Sequence, residues 1–148
     1  MTEVKIKKLR EDVLTPVYAR DGDSGADLRW SPAPALSANL CTLWPGQTAV
    51  FATGLAIELS DGYEAQVRPR SSLSSKGLLA HLGTIDLGYR GEIGVILTNL
   101  GRDHVSIRSG DRIAQLVIAP VTRAAFRIVD ELTSSERGAA GFGSSGSR

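Results

Sequence analysis

A chain of 148 residues, 42% of them hydrophobic, is long enough for one packed domain and too short for two ordinary ones. Its 17 basic and 16 acidic residues nearly cancel. That excludes a bulk field steering the chain to nucleic acid or a membrane surface, so any anion it handles is met by a built site. Cys41 is the single cysteine and has no His/Cys cluster beside it, which excludes an internal disulfide and argues against structural zinc. The charged start MTEVKIKKLRED lacks an apolar core, and no apolar run approaches ~18 residues, so neither a signal peptide nor a membrane span is expected and the cytoplasm is the expected compartment.

In chain order, β-prone runs are expected at residues 4–9, 48–59, 63–69, 92–99, 104–107, 112–121 and 125–132. The breakers Pro45-Gly46, Asp61-Gly62, Gly88, Gly101 and Gly110-Asp111 recur at strand-like intervals, and no long amphipathic helical stripe interrupts them. An all-β sandwich, barrel or jelly roll follows. Residues 71–79 are the best candidate for a short helix, opened by a serine and closed by Gly77. From Ser134 the alternation stops and the chain becomes SSERGAAGFGSSGSR, where Phe142 is the only large apolar side chain. Residues 1–133 are therefore read as a β domain and 134–148 as a flexible Gly/Ser-rich arm. Composition alone makes that arm an idle end; a phenylalanine between glycines argues against idleness.

Five segments carry groups capable of chemistry. In GDSGADL (22–28), Asp27 could hold a metal-bound water or simply bond its own turn. VRPRSSLSSKG (67–77) brings two arginines, four serines and a lysine into one passage, which is either a phosphate cradle or a solvated basic loop. In GTIDLGYRGEIG (83–94), an apolar run turns through Leu87-Gly88 into another, as a hairpin does. There Asp86 could be a general base or a turn cap, and Tyr89 a sugar platform or a packing ring. Gln115 interrupts the apolar pattern of GDRIAQLV (110–117) and must bond either backbone or a ligand. In the arm, Arg137 supplies charge, Phe142 a stacking face, and Gly141, Gly143 and Gly146 allow close backbone approach. His81 and His104 stand at no telling spacing.

Taken in order, GADL, RPRSSLSSKG, GTIDLGYRGEI, GDRIAQLV and RGAAGFGSSG resemble the five ordered motifs of the trimeric dUTP diphosphatase family, spread over residues 25–146. The resemblance implies a jelly-roll or β-clip homotrimer that hydrolyses dUTP to dUMP and pyrophosphate, limiting uracil in DNA and supplying dUMP. It implies active sites shared between subunits, one chain's arm closing another's site, with Mg²⁺ on the triphosphate and Asp27 in the metal's outer shell. By the same resemblance Asp86 activates the attacking water, and Arg70, Ser71, Ser72 and Gln115 hold phosphates. Backbone at Gly83, Thr84, Ile85 and Gly94 reads uracil, and Tyr89 excludes a ribose 2′-hydroxyl. Arg137, Gly143, Ser144 and Ser145 clamp the terminal phosphate while Phe142 stacks on the base. Gly88, Ser72, Ser145 and Ala80 depart from residues common in the family.

The related dCTP deaminases share the RSSL segment and the IDxG-aromatic hairpin, but they need a glutamate on the outgoing strand where Ile96 stands, and Glu92 lies too near the turn. A non-catalytic nucleotide-binding module is the rival from another class; the retained Asp86 argues against it.

Overall fold

The structure, a computed structural model, describes residues 2–33, 39–136 and 138–139. Its elements are β1 (Lys5–Lys8), β2 (Ala26–Arg29), β3 (Leu40–Leu43), β4 (Thr48–Ala52), β5 (Leu55–Glu58), β6 (Tyr63–Arg68), α1 (Ser71–Ser74), β7 (Leu78–Ala80), β8 (Gly83–Ile85), β9 (Gly94–Asn99), β10 (Val105–Arg108) and β11 (Arg112–Pro120). The all-β expectation holds. Strands expected at 4–9, 63–69, 92–99, 104–107 and 112–121 appear within two residues of those bounds. Among the described residues no helix is long and apolar enough to cross a membrane.

The strands form a four-stranded sheet ordered β2-β11-β6-β8, a three-stranded sheet ordered β4-β9-β7, and the pairs β1-β5 and β10-β3. Every ladder among the described residues is antiparallel, and half-buried strands alternate as such ladders require. In β9, Val95, Leu97 and Asn99 point inward while Gly94 and Ile96 face out. Phe51, Leu28, Leu55, Leu97 and Ile113 form the centre of one core, with Trp30 set edge-on to Phe51 at 5.3 Å between ring centroids. At the rim, the exposed Lys5 and Glu58 pair across β1 and β5 at 2.7 Å; their shared hydrogen bond is the main cause that raises the Lys5 ammonium pKa and lowers that of Glu58.

Alongside Thr53, Asn99 is one of two buried polar side chains among the described residues. It is fully buried, donates to the carbonyls of Leu43 and Asp103 at 2.8 Å each, and accepts from the Gly101 amide at 2.9 Å. One side chain thus ties β9 to β3 and to the turn that follows β9. Asn99→Ala removes all three bonds and strands the buried Leu43 carbonyl, so a loss of about 3 kcal/mol is expected. Thermal unfolding should show this as a fall in Tm of about 6 to 12 °C; an unchanged Tm would mean that water replaces the amide at no cost.

Four local expectations are corrected. The run 48–59 is two strands in different sheets, because the chain turns at Gly54, whose φ is +73° and whose side has no room for a Cβ beside Val13 and Arg10. The helix expected over 71–79 is only Ser71–Ser74. Arg70, not a serine, is its N-cap, and Leu78 and Leu79 belong to β7. Gly77 does end the passage with φ +83°, where a Cβ would meet the Gly101 backbone at 2.7 Å. Residues 125–132 form no strand. No ladder partner from the described chain reaches them, and Phe126 and Ile128 are 98% and 99% exposed. The fourth correction, the hairpin at 83–94, shapes the site.

Candidate active site

Three of the five segments meet on one face of the four-stranded sheet. β11 runs between β2 and β6 in a register that sets Gln115 opposite both Asp27 and Arg68. Residues directly opposite on neighbouring strands share a face, so these three side chains form a cross-strand row, and Pro69 leads from its end to Arg70 and α1. Asp27 is 11% exposed because two arginines cover it: Arg70 Nε lies 3.0 Å from Oδ1 and Arg112 Nη1 3.1 Å from Oδ2. Arg70 also donates to the Arg112 carbonyl at 3.1 Å. The triad carries a net positive charge beside the exposed Ser71 and Ser72, a setting suited to phosphate oxygens. A cleft of about 610 Å³ opens along this row, lined by Ser24, Gly25, Gln66, Arg68, Leu82 and Gln115 among others.

In the hairpin expected at 83–94 the turn forms, but its two arms do not pair with each other, and pairing is found only below them. β7 pairs with β9 through Leu78↔Asn99, Leu79↔Thr98 and Ala80↔Leu97, and the His81 amide still donates to Ile96 at 2.9 Å. Continuing that register would set Gly83 opposite Gly94. Instead, Gly83, Thr84 and Ile85 pair with Val67, Gln66 and Ala65 of β6, while Gly94 pairs with Ala52 of β4. The two arms therefore join different sheets, and no ladder among the described residues connects β8 to β9. Ala80, at the base, is buried in the core.

Asp86 follows β8, and its carbonyl accepts from the Tyr89 amide at 3.0 Å to close the turn. Arg90 braces that turn by donating to the carbonyls of Leu87 at 2.7 Å and Tyr89 at 2.9 Å. Both Asp86 and Tyr89 are exposed. Asp86 lines a second cleft, about 540 Å³, with Gly62, Tyr63, Glu64 and Arg123. This cleft shares no lining residue with that of Gln115. The strand register explains the separation: Ile85 lies opposite Ala65 and Gln115 opposite Arg68, so Asp86 sits near Glu64, four residues or roughly 13 Å along β6 from the arginine row.

Arg137, Phe142, Gly143, Ser144 and Ser145 lie outside the described residues. The structure adds Arg112 and Arg68, which the sequence reading did not single out. Arg112 pairs with a residue 85 positions away, and no local signal announces such a pairing. Arg68 was visible as the first arginine of RPR.

For a divalent cation, the described residues contain no group of three His, Cys, Asp or Glu side chains able to hold one. They fit a metal whose ligands are phosphate oxygens and waters. Asp27 Oδ1 is buried and makes no hydrogen bond, since Arg70 Nε, though near, is poorly aligned, leaving an acceptor for a metal-bound water.

The family model described as dUTPase matches residues 13–146, nearly the whole chain. This chain belongs to the dUTPase family. A curated dUTPase-family relative, deoxyuridine 5′-triphosphate nucleotidohydrolase from Desulfotalea psychrophila, is 49% identical over 139 residues, covering 92% of this chain and 89% of that protein. The protein of that name from Clostridium tetani is 45% identical, with 99% of each covered. Among solved structures, the Staphylococcus bacteriophage 80alpha dUTPase with dUPNHPP superposes with a TM-score of 0.86 at 30% identity over 99% of each chain. A mutant dUTPase of Staphylococcus aureus phage phi11, described as coordinating a structural Mg(II) ion, gives 0.75 at 26% identity over 87% of this chain and 97% of that one. The all-β dUTPase fold therefore agrees across sequence and structure.

Proposed function

We propose that the protein hydrolyses dUTP to dUMP and pyrophosphate in a site completed between copies of the chain, as a homotrimer in the cytoplasm, where Cys41 stays a thiol. The observation that carries this reading is the distance between the two halves of the site. The arginine row and Gln115 suit phosphates, Asp86 suits a water, and about 13 Å of β6 separates them within one chain. A water and the phosphorus it attacks must be ~3–3.5 Å apart. A neighbouring copy that sets its Asp86 turn against this chain's arginine row removes the discrepancy. The fully exposed Phe126 and Ile128 support a neighbour as well, since residues 121–133 find no partner strand among the described residues.

In this reading the main chain of Gly83–Ile85 and that of Gly94, not paired with each other, form a slot for uracil, offering donors and acceptors in a fixed pattern, and Tyr89 lies against the sugar. Arg70, Ser71, Ser72 and Gln115 hold the triphosphate so that the α-phosphorus faces the Asp86 water. Asp86 orients the water and takes its proton as oxygen bonds phosphorus; the bond from the α-phosphorus to the bridging oxygen breaks, and pyrophosphate leaves. Mg²⁺, when bound, would supply charge neutralisation to the triphosphate, and Asp27 would help hold it through a water. The arm, residues 134–148, closes the site: Arg137, Gly143, Ser144 and Ser145 contact the terminal phosphate and Phe142 stacks on uracil.

The test is hydrolysis with Mg²⁺ and dUTP, dTTP, dCTP or UTP in separate reactions, measuring pyrophosphate and identifying the nucleoside product. Only dUTP should turn over efficiently, because a slot of fixed main chain has no room for the thymine methyl and offers cytosine the wrong hydrogen-bond pattern. Comparable turnover of dTTP sinks the slot assignment, and a deaminated product from dCTP would replace the reading with the deaminase one.

A further inference from the structure

Glu92 takes no part in the chemistry above, yet it is fastened at both ends. Its carboxylate Oε1 accepts from the Gly54 amide at 2.6 Å and lies 3.3 Å from both terminal nitrogens of Arg10. Arg10 is largely covered, its side chain 15% exposed, and donates to the Ser31 carbonyl as well. Gly54 can bring its amide to Glu92 only as glycine, since a Cβ there would meet Val13 at 2.3 Å and the Arg10 guanidinium at 2.6 Å. The other end of Glu92 is its main-chain carbonyl, which accepts the Tyr89 hydroxyl at 2.9 Å. The ring is thereby folded back over Gly91. A Cβ on Gly91 would come within 2.4 Å of the Tyr89 hydroxyl oxygen and 2.6 Å of its Cζ, and the next nearest atom is also in that ring. Gly91 is not among the glycines with positive φ, so the nearest obstacle to a Cβ there is the ring and not the backbone.

An exposed tyrosine on a turn ordinarily samples several rotamers. One that rejects a hydroxyl by contact must not yield, because a small rotation of the ring admits the extra oxygen. We propose that Gly91 and Glu92 are specificity-determining positioning residues, which hold Tyr89 in the pose that rejects a ribose 2′-hydroxyl, with Arg10 and the Gly54 amide fixing Glu92 in turn. This rests on the assignment of Tyr89 to the sugar. The support runs from the loop after β1, through a carboxylate and its own carbonyl, to the ring that touches substrate. Selectivity for deoxyribose is thereby anchored at the edge of the core and not on the turn alone.

The experiment compares kcat/KM for dUTP and UTP, with Mg²⁺, in the full-length protein and in Tyr89→Ala, Tyr89→Phe, Gly91→Ala and Glu92→Ala, with thermal unfolding of each. Tyr89→Phe deletes one exposed oxygen, and Gly91→Ala adds one methyl whose nearest contacts are in the Tyr89 ring, so both variants should fold even if Glu92→Ala does not. Each should lower the dUTP-to-UTP ratio by about tenfold, the scale of one lost hydrogen bond. Part of that change should be an absolute rise in kcat/KM for UTP. A loss of folded protein scales both substrates alike and leaves the ratio unmoved. A wild-type ratio in either Tyr89→Phe or Gly91→Ala, with Tyr89→Ala relaxed, overturns the tether and leaves the sugar assignment standing. A wild-type ratio in Tyr89→Ala overturns the sugar assignment itself, and the tether with it.

Discussion

Asp86→Asn should fold and bind nucleotide but lose hydrolysis, with kcat lowered by about 10² to 10⁴, the range for removing a positioned general base. The substitution keeps the shape of the side chain. It also leaves intact the Tyr89 amide to Asp86 carbonyl bond that closes the turn, because that bond is main chain. The slot and the ring beside it therefore keep their geometry, and affinity for a non-hydrolysable dUTP analogue should change little. What the amide cannot do is take the water's proton as oxygen approaches phosphorus. The expected loss corresponds to about 2.7 to 5.5 kcal/mol of barrier. Steady-state turnover together with analogue binding checks both halves, and a variant retaining a tenth or more of wild-type kcat would show that another group activates the water.

Removing residues 137–148 should cut kcat/KM for dUTP by about a hundredfold while leaving Tm unchanged. Among the described residues the buried hydrophobic core runs from Val13 to Leu116, so truncation is expected to leave that packing in place. It does remove a stacking ring, about 1 to 3 kcal/mol by analogy with bases on aromatic platforms, and a charged phosphate contact of about 1.5 to 3 kcal/mol. Part of that sum is offset because the Gly/Ser-rich segment no longer has to be ordered on the substrate. Single variants separate the terms: Phe142→Ala should lose the stacking part, whereas Phe142→Trp should keep activity and report closure by fluorescence. If sites are shared between chains, mixing the truncated protein with Asp86→Asn under conditions of subunit exchange should restore activity that neither has alone. Full activity in the truncated protein would make the arm an idle end.

What could be read in the sequence follows from where its physics is local. A half-buried strand writes its period of two into the chain, and β6, β9 and β11 were legible for that reason; Val95, Leu97 and Asn99 face in while Ile96 faces out. Turn chemistry was legible at Gly77 for the same local reason. The chemistry-bearing segments were legible as residue types in order, because phosphates need guanidinium forks and a water needs a carboxylate wherever the chain puts them. Short strands such as β2, β3 and β7 were not, since three or four residues carry too little pattern, and Leu78-Leu79 read equally well as the end of a helix.

Only the tertiary structure decided which strands pair. The hairpin at 83–94 opens because β6 offers β8 a ladder that competes with the one from β9, and nothing within the segment itself encodes that competition. Asp27 is held by Arg70 and Arg112, brought together from three segments by register alone. Glu92 stands in the sequence only as an acid too near the turn to serve a deaminase, and the fold alone sets Arg10 and the Gly54 amide against it. The sequence determined the residue chemistry and the alternation of faces, both properties of neighbouring residues. Register, the splitting of a hairpin between two sheets and the partners of buried charges were decided by contacts between distant ones, whose energies depend on which edges and faces remain available once the rest of the chain has packed.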